Sequence, residues 1–95
     1  MKTSEVLRNA LALFGPDGQK WIDRCPPPSK HCSVTAIYAA ANTGREVSDC
    51  MDALYGAADV SAFSWLGAWN DNHTWPEVKA AFEKAIAVEL AKEAA

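Results

Sequence analysis

The sequence contains no apolar run of the roughly 18–20 residues that a membrane-spanning helix needs. Its longest uncharged stretch, His31 to Gly44, is too short and too polar for that purpose. No secretory leader is legible either, because Glu5 and Arg8 interrupt the apolar residues that follow Met1. Cysteine is sparse and odd in number: Cys25, Cys32 and Cys50 cannot all pair. Small secreted domains carry even sets, so free thiols in a reducing cytoplasm are the expectation. Positive charge is also short. Nine Lys and Arg against twelve Asp and Glu leave a net charge of -3, the wrong sign for neutralising phosphates, which argues against a nucleic-acid partner. There is no phosphate-cradling glycine loop and no H-E-x-x-H, so no cofactor is expected. A zinc site is not expected, because its candidates, Cys25, His31, Cys32, Cys50 and His73, form no short paired spacing.

What is present is one domain's worth of chain. The 95 residues are 49% apolar, and 18 of those apolar positions are alanine, which leaves 29 larger side chains for a thin core. Charge is unevenly placed: residues 1–50 net +1 and residues 51–95 net -4. An acidic C-terminal half can meet a basic protein surface or form a solvated helix face.

The periodicity is helical from end to end and predicts an all-α domain of four to five helices spanning 1–95. Val6, Leu7, Ala10, Leu11 and Phe14 recur at helical spacing, with Thr3 or Ser4 as cap and Gly15-Pro16 as stop. Residues 15–30 read as an ordered, proline-rich loop. Pro26-Pro27-Pro28 fixes an extended stretch, and Trp21-Ile22 anchors the loop through at most a short bridge of strand. A second helix starts between Ser29 and Ser33, places Val34, Ile37, Tyr38 and Ala41 on one face, and ends at Asn42-Thr43-Gly44. Thr43 and Glu46 form a capping box for a third, whose stripe continues through Val47, Met51, Leu54 and Tyr55. Asp59 is read as the cap of a fourth, shorter helix through Phe63, Leu66 and Trp69 that Asn70-Asp71-Asn72 ends. Thr74-Trp75-Pro76-Glu77 opens the last, with Val78, Ala81, Phe82, Ala85 and Ile86 facing inward to about residue 92.

Two sets of residues could carry a function. Cys32 falls at the start of the alanine-rich helix, where a helix N-terminus favours the thiolate, and His73 and Asp71 are available as base and orienting group. A cysteine opening a central helix resembles the layout of papain-like and cell-wall peptidases, although no convincing strands accompany it here. The alternative reading makes Cys32 a small buried hydrophobe. Four tryptophans are the denser signal. Trp65, Trp69 and Trp75 fall within eleven positions; tryptophan suits binding hot spots and small cores alike. Trp69 is expected in the core, while Trp65 and Trp75 are the candidate binding residues.

Cys32-Ser33-Val34-Thr35-Ala36-Ile37, then Trp69-Asn70-Asp71, then Thr74-x-x-Glu77-Val78 before a final helix resembles a family of small domains of unknown function found in actinobacteria and their bacteriophages. That family's hallmark approximates C-L-x-G-A, W-N-D and R-T-x-E-E-V. Here Val34 and Thr35 stand in its leucine and glycine region, and Asn72-His73 replaces its arginine-bearing turn. The resemblance implies an all-helical fold and an accessory role. It also implies a corner at Trp69-Asn70-Asp71 whose polar side chains cap the last helix, so that Trp69, Asn70, Asp71 and the capping residues Thr74 and Glu77 form the expected structural corner. No enzymatic activity comes with it. The leading expectation is a non-enzymatic accessory protein that binds a protein partner in the cytoplasm. The alternatives are a cysteine-dependent hydrolase or transferase using Cys32, His73 and Asp71, and a homo-oligomeric structural protein.

Overall fold

Side chains that recur every three or four residues must be buried on one face, and the chain does this five times. The computed structural model describes residues 1–95 and contains α1 (Thr3–Leu13), α2 (Ser33–Ala40), α3 (Gly44–Ala57), α4 (Leu66–Asp71) and α5 (Trp75–Ala94), with one 3₁₀ turn at Val60–Ala62. There is no sheet. The only strand-like pairing is an isolated parallel bridge between Trp21 and His31, as the reading of Trp21-Ile22 anticipated. No helix is long and apolar enough to cross a membrane.

α5 is the spine. Its inward stripe is the expected one: Val78, Ala81, Phe82, Ala85 and Ile86 are buried, while Lys79, Glu83 and Lys84 face water. α1 lies against α5, α2 and α3, and α3 also packs on α5. Phe14, at the end of α1, meets Phe82 edge-on with ring centroids 5.5 Å apart and Trp75 at 5.4 Å. Burying such rings contributes on the order of 1.5–3 kcal/mol each. The core is one continuous cluster of 18 buried residues drawn from all five helices.

Helix ends follow local hydrogen bonding. Thr43 and Glu46 close both arms of the expected box: Glu46 N–H donates to Thr43 Oγ1 at 3.2 Å and Thr43 N–H to Glu46 Oε1 at 3.1 Å. At α5 Thr74 donates both its N–H and its hydroxyl to Glu77 Oε1.

Four local expectations need correction. Asp59 caps no helix through Phe63 to Trp69; the chain there makes a 3₁₀ turn, and α4 starts only at Leu66. The indole N–H of Trp69 captures the Asp59 carboxylate instead, so a tertiary partner outcompetes the local cap. α1 begins with Thr3 inside the helix and Lys2 as the cap residue, because the Ser4 hydroxyl is buried and donates to Glu93 Oε1. α2 ends at Ala40, short of Asn42. Tyr38 does not share the inward face with Ile37, being 62% exposed. In an eight-residue helix lying along α1 and α4, the buried stripe is too narrow to include it.

Candidate functional site

The loop from Gly15 to Cys32 closes on itself through backbone bonds such as Ile22 N–H to the His31 carbonyl, and one side chain from α4 ties it to the helices. Asn70 is fully buried. Its Oδ1 accepts from the Trp21 indole N–H at 2.8 Å, from Ser33 N–H at 2.9 Å and from Ser33 Oγ at 2.6 Å. Its Nδ2 donates to the Ile22 carbonyl at 3.0 Å and to Asp71 Oδ1 at 3.2 Å. The corner residues therefore act differently from the role the resemblance implied: neither Asn70 nor Asp71 caps α5; Asn70 joins α4 to the loop and to the start of α2, and Asp71 accepts from the Asn70 amide. Thr74 and Glu77 alone make the α5 cap. The Glu77 carboxyl lies below its ordinary range, chiefly through the Thr74 N–H and then through the Thr74 hydroxyl.

Anchored in this way, the loop and α4 enclose a depression of about 290 Å³ lined by Arg24, Cys25, Pro26, Cys32, Val34, Thr35, Trp65, Gly67 and Asp71. Trp65 is the cap residue of α4 and forms one wall. Its indole is 54% exposed and lies so close over Gly67 that a Cβ there would stand 2.3 Å from the ring. A larger residue at that position would have to push the indole aside, whereas the backbone conformation makes no demand for glycine.

Cys32 is the N-cap residue of α2 and is buried. Asp71 shares the depression with it, but His73 does not. His73 lies beside Asp59, Trp69, Glu77 and Lys84 in a separate concavity, stacked on the Trp69 ring at 4.5 Å. Both ring nitrogens are engaged there, Nδ1 with the Trp69 carbonyl at 2.6 Å and Nε2 with Asp59 Oδ1 at 3.3 Å. Asp59 is held below the usual carboxylate range, first by the Trp69 indole and then by the His73 charge. The structure thus brings Cys32 to Asp71 and places His73 elsewhere. No three His, Cys, Asp or Glu side chains converge as a metal site.

Trp75, the first residue of α5, is half-buried against Phe14 and Trp21. It lines a third concavity together with Arg8, Leu11, Ala12, Gly15, Pro16 and Lys79. Sequence reasoning found the two tryptophans but missed their neighbours. Pro26 reads as part of an extended loop and Lys79 as a solvent-facing charge, and no pattern marks Gly67. Asn70 stood out as part of the Trp69-Asn70-Asp71 corner, but its partners Trp21, Ile22 and Ser33 lie 37 to 49 positions away, beyond the reach of any local rule.

The family model described as "Family of unknown function (DUF6197)" matches residues 1–88. No curated protein and no solved structure matches the chain.

Proposed function

We propose that this chain, which belongs to that family of unknown function, is a small non-enzymatic accessory protein, of phage or actinobacterial type, that acts in the cytoplasm by binding another protein. The observation that carries the reading is Trp65. A large indole more than half exposed at the wall of an apolar depression is a costly placement in a chain with few large apolar groups, and aromatic anchors beside pockets are where binding energy concentrates. The depression is of a size to take one apolar side chain from a partner, with Pro26 and Val34 as its other apolar walls. Engagement of both His73 ring nitrogens away from Cys32 supports binding over cysteine-dependent hydrolysis.

The test is affinity capture from a lysate of the source organism or its host with the wild-type chain and Trp65→Ala in parallel. Saturable retention of one partner by wild type, reduced at least about tenfold by Trp65→Ala as for a hot-spot truncation, supports the reading. Equal retention by both proteins refutes it at this site. A dimer mass by light scattering that Trp65→Ala converts to monomer would assign the surface to the homo-oligomeric alternative.

A further inference from the structure

The groove between α1 and α5 differs in chemistry from the Trp65 depression and shares no residue with it. It measures about 430 Å³, and its charged side chains are Arg8 and Lys79, both cationic, on a chain whose net charge is -3. Neither cation takes part in the ion pairs of the fold, which use the Met1 amine, Arg24, His73 and Lys92. The Arg8 field reaches Glu93, but that carboxylate already accepts from the Ser4 N–H and hydroxyl. The apolar floor is Leu11, Ala12, Pro16 and the Trp75 ring.

Trp75 is rigidly seated. Phe14 meets its ring edge, Trp21 lies 6.3 Å away, and Gly18, at φ +71°, approaches so closely that an added Cβ would fall 2.3 Å from the indole. An aromatic surface that is already ordered loses little entropy on binding. Along α1 the groove runs from Arg8 to Ala12, four residue steps or about 6 Å at 1.5 Å per residue, which matches about two residues of extended peptide at 3.3 Å each.

We propose that this groove binds an acidic peptide segment of a partner protein, with one aromatic side chain seated against Leu11 and Trp75 and flanking carboxylates paired with Arg8 and Lys79. This assignment rests on the reading of the chain as a binding protein and gives a second face of it a partner chemistry. Guanidinium and ammonium donors with no carboxylate between them favour a carboxylate ligand, which Arg can hold through two parallel N–H bonds. Two cations on an acidic chain are too few to hold a nucleic-acid backbone.

The experiment uses the full ¹⁵N-labelled chain and three synthetic peptides: Gly-Asp-Glu-Phe-Asp-Glu-Gly, its Asn/Gln isostere, and its Phe-to-Ala variant. The acidic peptide is expected to shift the amides of Arg8, Leu11, Ala12 and Lys79 saturably. Affinity is expected to fall about threefold in Arg8→Gln or Lys79→Gln and about tenfold when both are changed, as for rim charge pairs. The isostere and the Phe-to-Ala peptide should each bind about tenfold more weakly. Double reversal, Arg8→Glu with Lys79→Glu, should transfer the preference to a Lys-flanked Phe peptide, which separates loss of charge from loss of fold. Binding of the isostere as tight as that of the acidic peptide, shifts confined to other surfaces, or equal competition by a duplex oligonucleotide overturns the assignment. Trp65→Ala should leave the peptide affinity unchanged. A groove that fails while Trp65-dependent capture persists refutes this inference alone, and failure of both refutes the binding reading.

Discussion

The Trp21 indole N–H and the Asn70 carboxamide oxygen meet at 2.8 Å across 49 positions of sequence, inside a bond set that also includes both donors of Ser33. Removing the amide strands buried donors, each costing about 1–3 kcal/mol. Asn70→Ala is therefore expected to lower the unfolding free energy by about 3 kcal/mol in urea titration. Trp21→Phe leaves Asn70 Oδ1 with the two Ser33 donors and is expected to lose only about 1–2 kcal/mol. Equal losses in the two variants would contradict the hub role of Asn70.

Two glycines should respond in opposite directions. Gly18 combines positive φ with the Trp75 ring at its Cβ position, so Gly18→Ala is expected to cost at least about 2 kcal/mol and to shift the tryptophan emission. Gly44 opens α3 with nothing within 4 Å of an added Cβ, and Gly44→Ala should be neutral or stabilising by about 0.5 kcal/mol. Thermal melts of the pair provide the check.

Acid should weaken the fold through identified carboxylates. Glu93 lies below its ordinary range chiefly because it accepts the Ser4 hydroxyl, and Glu77 because it accepts the Thr74 N–H and then the Thr74 hydroxyl. A carboxylate with a lower pKa folded than unfolded contributes its stability above the unfolded value, about 4.3 for glutamate, and loses it as pH falls through the folded value. The urea midpoint is thus expected to decline below about pH 4.5, and less steeply in the Glu77→Gln, Glu93→Gln double variant. Superimposable pH profiles would contradict these assignments.

The three thiols should separate by reactivity. Cys25 is exposed, while Cys32 and Cys50 are buried. Burial, followed by the charges of Asp49, Glu46 and Glu89, pushes the Cys50 thiol up to about 12. At pH 8 its thiolate is about one part in ten thousand even before access is considered. Labelling with a disulfide reagent under native conditions should modify Cys25 first and leave Cys50 intact until urea is added. A Cys32 that reacts faster than a free peptide thiol would favour the enzyme alternative.

The parts of the fold legible in the sequence are those in which one helix face does the work. The inward stripe of α5 could be read residue by residue because Val78 to Ile86 repeat at helical spacing and meet a broad core. The α3 cap was legible because both of its partners lie within four residues. Asp59 was misread because its actual partner, the Trp69 indole, is ten positions away and no local rule ranks it above a helix cap. The Tyr38 error has a related cause: periodicity gives the angle of a side chain around its helix, but not how much of that helix its neighbours cover. In the candidate site, the tryptophans stood out by type alone, whereas Arg8 and Lys79 belong to helices that meet only after folding.

The loop between α1 and α2 takes its order from α4. Asn70 comes 37 positions after Ser33 and 49 after Trp21, so the loop's central bonds can close only when two distant parts of the chain are already together. Loop-closure entropy must then be spent before these bonds return anything. A fragment ending before α4 keeps the residues of α1, the loop and α2 but lacks the acceptor they share, which makes the first third of the chain a dependent of the last third rather than an independent unit of folding.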